Sequence, residues 1–145
     1  MDCLLQCGAA NVYAIERGYG VIDFRLRSDP RVVVMERTDA LHVRLPEPVD
    51  LVTIDVGWTR QRLILPAARR MLAEEGEIVT LVKPHYEAAP GLLDGGVLPI
   101  EQLESVLEGV RAPLDGLGLA LIGEMRSPIE GRGGNTEVLW RLRAR

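Results

Sequence analysis

Three segments rich in β-branched residues end in a polar group: Asn11-Val-Tyr-Ala-Ile-Glu16, Asp50-Leu-Val-Thr-Ile-Asp55 and Glu77-Ile-Val-Thr-Leu-Val-Lys83. In an open α/β sheet, ligands sit in the crevice beyond the carboxyl ends of the strands, so Glu16, Asp55 and Lys83 are expected on one rim. Lys83 is the only lysine; the other 16 of the 17 cations are arginines. An ammonium is a compact cation whose protonation responds to burial, whereas a guanidinium stays charged and its wide fork fits poorly around one oxygen. A lysine beside a carboxylate can activate a weak hydroxyl nucleophile, by helping to remove its proton or by stabilising the oxyanion. The plainer alternatives are a lysine snorkelling from a strand end to solvent and, for Asp55, an N-cap on the next helix.

Trp58, Tyr86, Arg60 and Arg62 flank the same rim. Aromatic rings and guanidinium groups suit stacking on bases and contact with phosphates, as against simple rim packing with solvated charge. The Gly18-Tyr-Gly20 turn lets a backbone approach a ligand closely. His42 and His85 are isolated, and Cys3 and Cys7 have no third ligand near them, so no metal is expected. The two cysteines read as small half-buried helix residues.

A sheet with crossover helices would position these groups. The 145 residues, 47% hydrophobic and 26% charged, suit one globular domain. Helices are expected in the piece Asp2 to Ala10, ending at Gly8, over Thr59 to Glu75 with Gly76 as its stop, and from Pro99 to about Val110, with a short helix or turn over Val21 to Arg27. Strands are expected over the three segments above, over Arg31 to Glu36, Leu119 to Met125 and Glu137 to Leu142. Val32-Val-Val34 marks a strand buried on both faces, and Asp55 follows a strand of the same kind. The short connection through Gly133-Gly-Asn135 makes the last two strands an antiparallel hairpin. The stretch His85 to Leu98 reads as a loop long enough for a lid.

The net charge of −4 excludes a domain that binds nucleic acid by charge alone but allows a local basic face. No apolar run approaches the roughly 20 residues of a membrane span, and no secretory signal is present, so a cytoplasmic setting is expected.

Several pieces in order resemble the hemolysin A (TlyA) branch of the FtsJ-like rRNA methyltransferases. They are Asp2-Cys-Leu-Leu-Gln6, Gly8-Ala9, Val12-Tyr-Ala14, Gly18-Tyr-Gly20, Asp29 to Thr38, Pro48 to Asp55, Leu63-Ile-Leu-Pro66, Val82-Lys-Pro84 with Glu87, Gly95-Gly-Val97, Ser127-Pro-Ile129, Gly134-Asn135 and Glu137. The resemblance implies a Rossmann-like sheet, mostly parallel, with a C-terminal antiparallel hairpin. It implies methyl transfer from S-adenosyl-L-methionine to a ribose 2′-hydroxyl of rRNA, without a metal. Asp55, Lys83 and Glu137 would be catalytic; the family's first catalytic lysine has no match. Glu16, Gly18, Gly20, Asp39 and Asp55 would line the cofactor, with Glu16 accepting hydrogen bonds from its ribose.

Two departures stand out. Val56-Gly-Trp-Thr-Arg60 replaces the usual Ser-Phe-Ile-like sequence, and the family's first strand and glycine-rich loop are missing, as is its separate RNA-binding module. Residues 1–145 thus read as one N-terminally truncated methyltransferase domain. A central strand missing from such a sheet predicts direct pairing across the gap, a strand-exchanged or other homodimer, or poor folding. The alternative is a methyltransferase-like chain that cannot bind the cofactor by itself. A nicotinamide-dependent oxidoreductase fits the alternating pattern and Glu16, but no G-x-G-x-x-G fingerprint is present.

Overall fold

A computed structural model describes all of residues 1–145. The chain divides into two compact units, Met1–Pro46 and Glu47–Arg145.

In the first unit, helix α1 (Asp2–Gln6) ends where Gly8 turns left-handed at φ 93°. The Ala9 N–H then reaches back to the Leu4 carbonyl at 2.9 Å, closing the last turn. Strand β1 (Val12–Ile15), helix α2 (Phe24–Arg27) and strand β2 (Val32–Met35) follow. The two strands pair in parallel, from Val12 opposite Val32 to Ile15 opposite Met35. Asp23 caps α2 through the Arg25 N–H. Asp29 binds both the backbone and the guanidinium of Arg31 just before β2, which holds its carboxyl down at about 2. The expected burial of β2 on both faces does not occur: Val33 is 45% exposed. A two-stranded ribbon has too little around it to cover both faces. Cys3 and Cys7 are exposed rather than half-buried.

The second unit holds a four-stranded sheet in the order β3 (Val49–Ile54), β4 (Leu72–Val82), β6 (Val138–Ala144), β5 (Leu119–Arg126). β3 and β4 are parallel, and β6 runs antiparallel to both β4 and β5, so the expected terminal hairpin is present. The pairs Ile78–Leu142, Thr80–Trp140 and Val82–Val138 face one another across β4 and β6, and all six residues are buried. Helix α3 (Gln61–Met71) contributes Ile64, Leu65, Ala68 and Met71 to the core, and helix α5 (Ile100–Arg111) contributes Leu103, Leu107 and Val110. Burying each such large side chain is worth about 1.5–3 kcal/mol.

The helix expected to run to Glu75 stops at Met71, and the chain passes directly into β4. Gly76 is not its stop. Between the pairs Val49–Leu72 and Leu51–Glu77 the register shifts, so Ala73 to Gly76 form a bulge. A Cβ at Gly76 would lie 3.1 Å from the Val49 carbonyl, so this crowded spot favours glycine. Pro66 sits inside α3, which continues through it.

β3 is an edge strand, and of its six residues only Ile54 is buried. The reading of β3 as a buried strand therefore fails. β1 and β3 belong to different sheets, so direct pairing between them does not occur. No helix is long and apolar enough to cross a membrane.

Candidate active site

Because β3 and β4 are parallel and β6 opposes β4, the end of β3, the end of β4 and the start of β6 share one edge of the sheet. Asp55 follows β3, Lys83 follows β4, and Glu137 precedes β6. The topology alone thus gathers the three residues. Lys83 Nζ lies 2.7 Å from Asp55 Oδ1, with the lysine side chain 18% exposed and the carboxylate 69% exposed. Asp55 is thus an ion-pair partner, and the start of α3 is not capped by it: the N-cap position is Arg60.

Val138 pairs with Val82, so extending the register by one step sets Glu137 opposite Lys83. The Ser127 N–H holds the Glu137 carbonyl at 2.8 Å, and the Glu137 side chain crosses the bare face of Gly131. A Cβ at Gly131 would come within 2.5 Å of Glu137 Oε1, so any larger residue displaces the carboxylate.

An aromatic stack flanks the ion pair. Tyr86 stacks on Trp58 at 4.7 Å between ring centroids and meets the His85 ring at a tilt, at 4.1 Å. Trp58 is 84% exposed and takes a left-handed backbone at φ 61°, where a bulky residue is strained. His85 is buried, its Nδ1 has no partner, and burial together with the Lys83 charge pushes its pKa down.

Three further residues order this edge. Glu87 Oε1 accepts the Gln61 N–H at 2.6 Å, and burial raises the Glu87 carboxyl against the opposing pull of that bond and of Arg60 and Arg62. Gln61 is buried and its Oε1 accepts the Thr80 hydroxyl at 3.0 Å. Asn135 is buried, accepts the Leu98 N–H at 3.0 Å and donates to the carbonyls of Gly96 and Arg132. The segment expected to be a lid is therefore fastened. It contains helix α4 (Pro84–Glu87), a 3₁₀ turn at Pro90–Leu92 and a tight Gly95-Gly96 turn tied to Asn135. The sequence hint to Gln61 and Asn135 was weak: an amide next to an apolar run, and an amide after two glycines.

In the first unit, Glu16 Oε1 accepts the Gly18 N–H at 2.7 Å. One such bond leaves acceptor capacity on the carboxylate. Gly20 is left-handed at φ 72°, and its N–H donates to Glu36 Oε1 at 2.8 Å; Glu36 is also paired with Arg27 at 2.6 Å. Glu36 thus fixes the Gly18–Gly20 turn, a role the sequence did not suggest. Asp39 Oδ1 accepts the Leu41 N–H at 3.0 Å. Arg37 lies over the Tyr19 ring at 4.4 Å. No group of three or more His, Cys, Asp or Glu side chains is arranged to hold a metal ion.

Residues 1–143 match the family model of the FtsJ-like methyltransferases. The chain is 41% identical, over 96% of its length, to the Mycobacterium tuberculosis 16S/23S rRNA (cytidine-2′-O)-methyltransferase TlyA, of which the match covers 54%. It thus spans about half the length of that curated relative. A solved hemolysin-like chain from Streptococcus thermophilus superposes with a TM-score of 0.94 at 34% identity, covering 99% of this chain and 54% of the other. M. jannaschii TYW2, solved with AdoMet, shares only the fold, with a TM-score of 0.58 at 17% identity over 94% of this chain and 59% of its own.

Proposed function

Because the chain belongs to the FtsJ-like methyltransferase family, we propose that it acts as the core of an S-adenosyl-L-methionine-dependent ribose 2′-O-methyltransferase of ribosomal RNA, with residues 1–145 forming one methyltransferase domain. The observation that carries the reading is the 2.7 Å Lys83–Asp55 pair on the edge where Glu137 precedes β6. The Lys83 ammonium donates to the 2′-hydroxyl oxygen and holds it, and Asp55 accepts the hydroxyl proton as the oxygen takes the methyl group. Glu137, one step beyond the Val82–Val138 pair, is the second carboxylate proposed for this edge, with its side chain lying over Gly131.

When bound, S-adenosyl-L-methionine would supply an electrophilic methyl group carried on a positively charged sulfur, the S–CH3 bond breaking to leave the neutral thioether S-adenosyl-L-homocysteine. Glu16, Gly18, Gly20 and Asp39 would hold its nucleoside part; Asp55 is named among the cofactor residues by the family resemblance alone. The chemistry of this set fits: a carboxylate with spare acceptor capacity beside a turn whose glycines leave the backbone bare. Trp58 and Tyr86 would stack on bases, with Arg60 and Arg62 meeting phosphates.

Calorimetric titration with S-adenosyl-L-methionine, followed by transfer of labelled methyl to ribosomal RNA, tests the proposal. Micromolar binding and a ribose-methylated nucleotide are expected. A chain that binds no cofactor supports the competing reading, a methyltransferase-like domain that cannot hold it alone.

A further inference from the structure

Lys83 is bracketed by two residues that reach the same point. Three residues before it, the Thr80 hydroxyl donates to Gln61 Oε1; four residues after it, Glu87 Oε1 accepts the Gln61 N–H. Gln61 is the first residue of α3, whose N-cap residue, Arg60, offers no capping side chain and whose first turn carries no acid. The exposed N–H groups and dipole of a helix start favour an anionic acceptor. Glu87 is that acceptor, delivered from 26 residues along the chain.

We propose that Glu87 and Gln61 form a positioning pair for the reaction: by capping α3 from the segment that follows Lys83, Glu87 fixes where Lys83 meets Asp55 and where Tyr86 supports Trp58. The inference rests on the methyltransferase reading only for its effect on catalysis. Neither residue reaches the reacting atoms; both act through the backbone of β4 and α4. Side chains on either side of Lys83 are tied to one helix end, which fixes the strand end from which the lysine reaches Asp55. Tyr86 is the residue before Glu87, so the same bond sets the height of the aromatic stack. The residue is half-buried, and even partial removal of a carboxylate from water is costly unless a partner holds it. Arg60 and Arg62 from the α3 side are the charges facing it.

The lone lysine supplies a direct readout. Protein labelled with ¹³C-lysine gives one ε-carbon signal, read in the full chain as wild type, Glu87→Ala, Glu87→Gln and Leu107→Ala. Leu107→Ala removes a core side chain on α5 and controls for lost stability. Glu87→Ala is expected to move the lysine signal toward that of a free side chain, and to lower kcat on the order of 10²-fold with little change in KM. Glu87→Gln, which keeps an acceptor oxygen for the Gln61 N–H, is expected to restore both. The proposal is overturned if Glu87→Ala leaves the lysine signal in place, or if Leu107→Ala moves it equally. A wild-type chain with no methyl transfer would sink the catalytic reading, while the lysine signal alone would still decide the positioning role.

Discussion

Exchanging Lys83 for arginine keeps the positive charge and removes the compact ammonium. The guanidinium fork cannot sit on one hydroxyl oxygen and one carboxylate oxygen in the same space. Lys83→Arg is therefore expected to lose methyl transfer nearly as fully as Lys83→Ala, both by about 10²–10⁴-fold. The ion pair itself should add only about 0–1 kcal/mol, because its Asp55 partner is largely exposed, so any larger loss in Lys83→Ala reports the packing of the mostly covered lysine stem. Side-by-side initial rates and urea midpoints check this: an active arginine variant would refute the assigned role. Trp58 carries a second prediction. Trp58 is 84% exposed on a left-handed backbone, a strained placement of the kind that clusters at ligand-contacting sites. Trp58→Ala should weaken RNA binding by about 1–3 kcal/mol, the value of one base stack, while Trp58→Phe keeps most of it. Filter binding at fixed salt separates the two, and equal affinities for wild type and alanine variant would remove Trp58 from the RNA face.

At the scale of elements, Glu77 and Glu87 tie strands and helices together with opposite pH signatures. Glu77 on β4 binds Arg141 and Arg143 on β6, at 2.6 Å each, and the two guanidinium groups hold its carboxyl at about 2, below the ordinary 4.5. Its stabilising contribution is whole above the unfolded value and is lost as pH falls from about 4.5 toward 2. Burial raises the Glu87 carboxyl instead, so ionising it as pH rises through the folded value costs the folded state stability, a cost that the Gln61 N–H bond reduces. Urea midpoints between pH 6 and pH 3 should fall less steeply for Glu77→Gln than for wild type; identical slopes would contradict the pairing. Why Glu77 was legible as a strand residue and not as a tie is physical. Alternation along Glu77 to Val82 declares a strand, but its arginine partners lie 64 and 66 residues away. The same holds for the candidate site: that Asp55 and Lys83 lie at neighbouring strand ends was readable from the strand pattern, whereas the Glu87–Gln61 cap depends on contacts between distant segments. Boundaries failed where packing overrode propensity. Leu72 to Glu75 continue a good helical pattern, yet Leu72 pairs with Val49 and the bulge at Gly76 absorbs the excess.

Across the whole molecule, apolar burial is distributed very unevenly between the two units. Of 22 buried hydrophobic residues, only Leu5 and Ala14 precede Glu47. Ordering a residue's backbone costs about 1–2 kcal/mol, so one buried leucine worth about 1.5–3 kcal/mol cannot hold 46 residues in place. The local devices of the first unit, the Asp29–Arg31 turn and the Glu36 anchor on Gly20, fix turns without building a core. The second unit has Trp140, Ile78, Leu142, Val82 and Val138 fully enclosed on two central strands. A fragment of residues 47–145 is therefore expected to melt in one cooperative transition, and a fragment of residues 1–46 to show none by circular dichroism. In the intact chain the same imbalance orders hydrogen exchange. Amides of β4 and β6 should exchange at the global unfolding rate, and those pairing β1 with β2 orders of magnitude faster through local opening. Addition of S-adenosyl-L-methionine should slow exchange in the Glu16–Gly20 segment, because a ligand that binds only the folded form stabilises it by mass action. Equal protection of β1 and β4 in the free chain would refute the uneven core, and unchanged exchange at Glu16–Gly20 under saturating cofactor would remove that turn from the cofactor site.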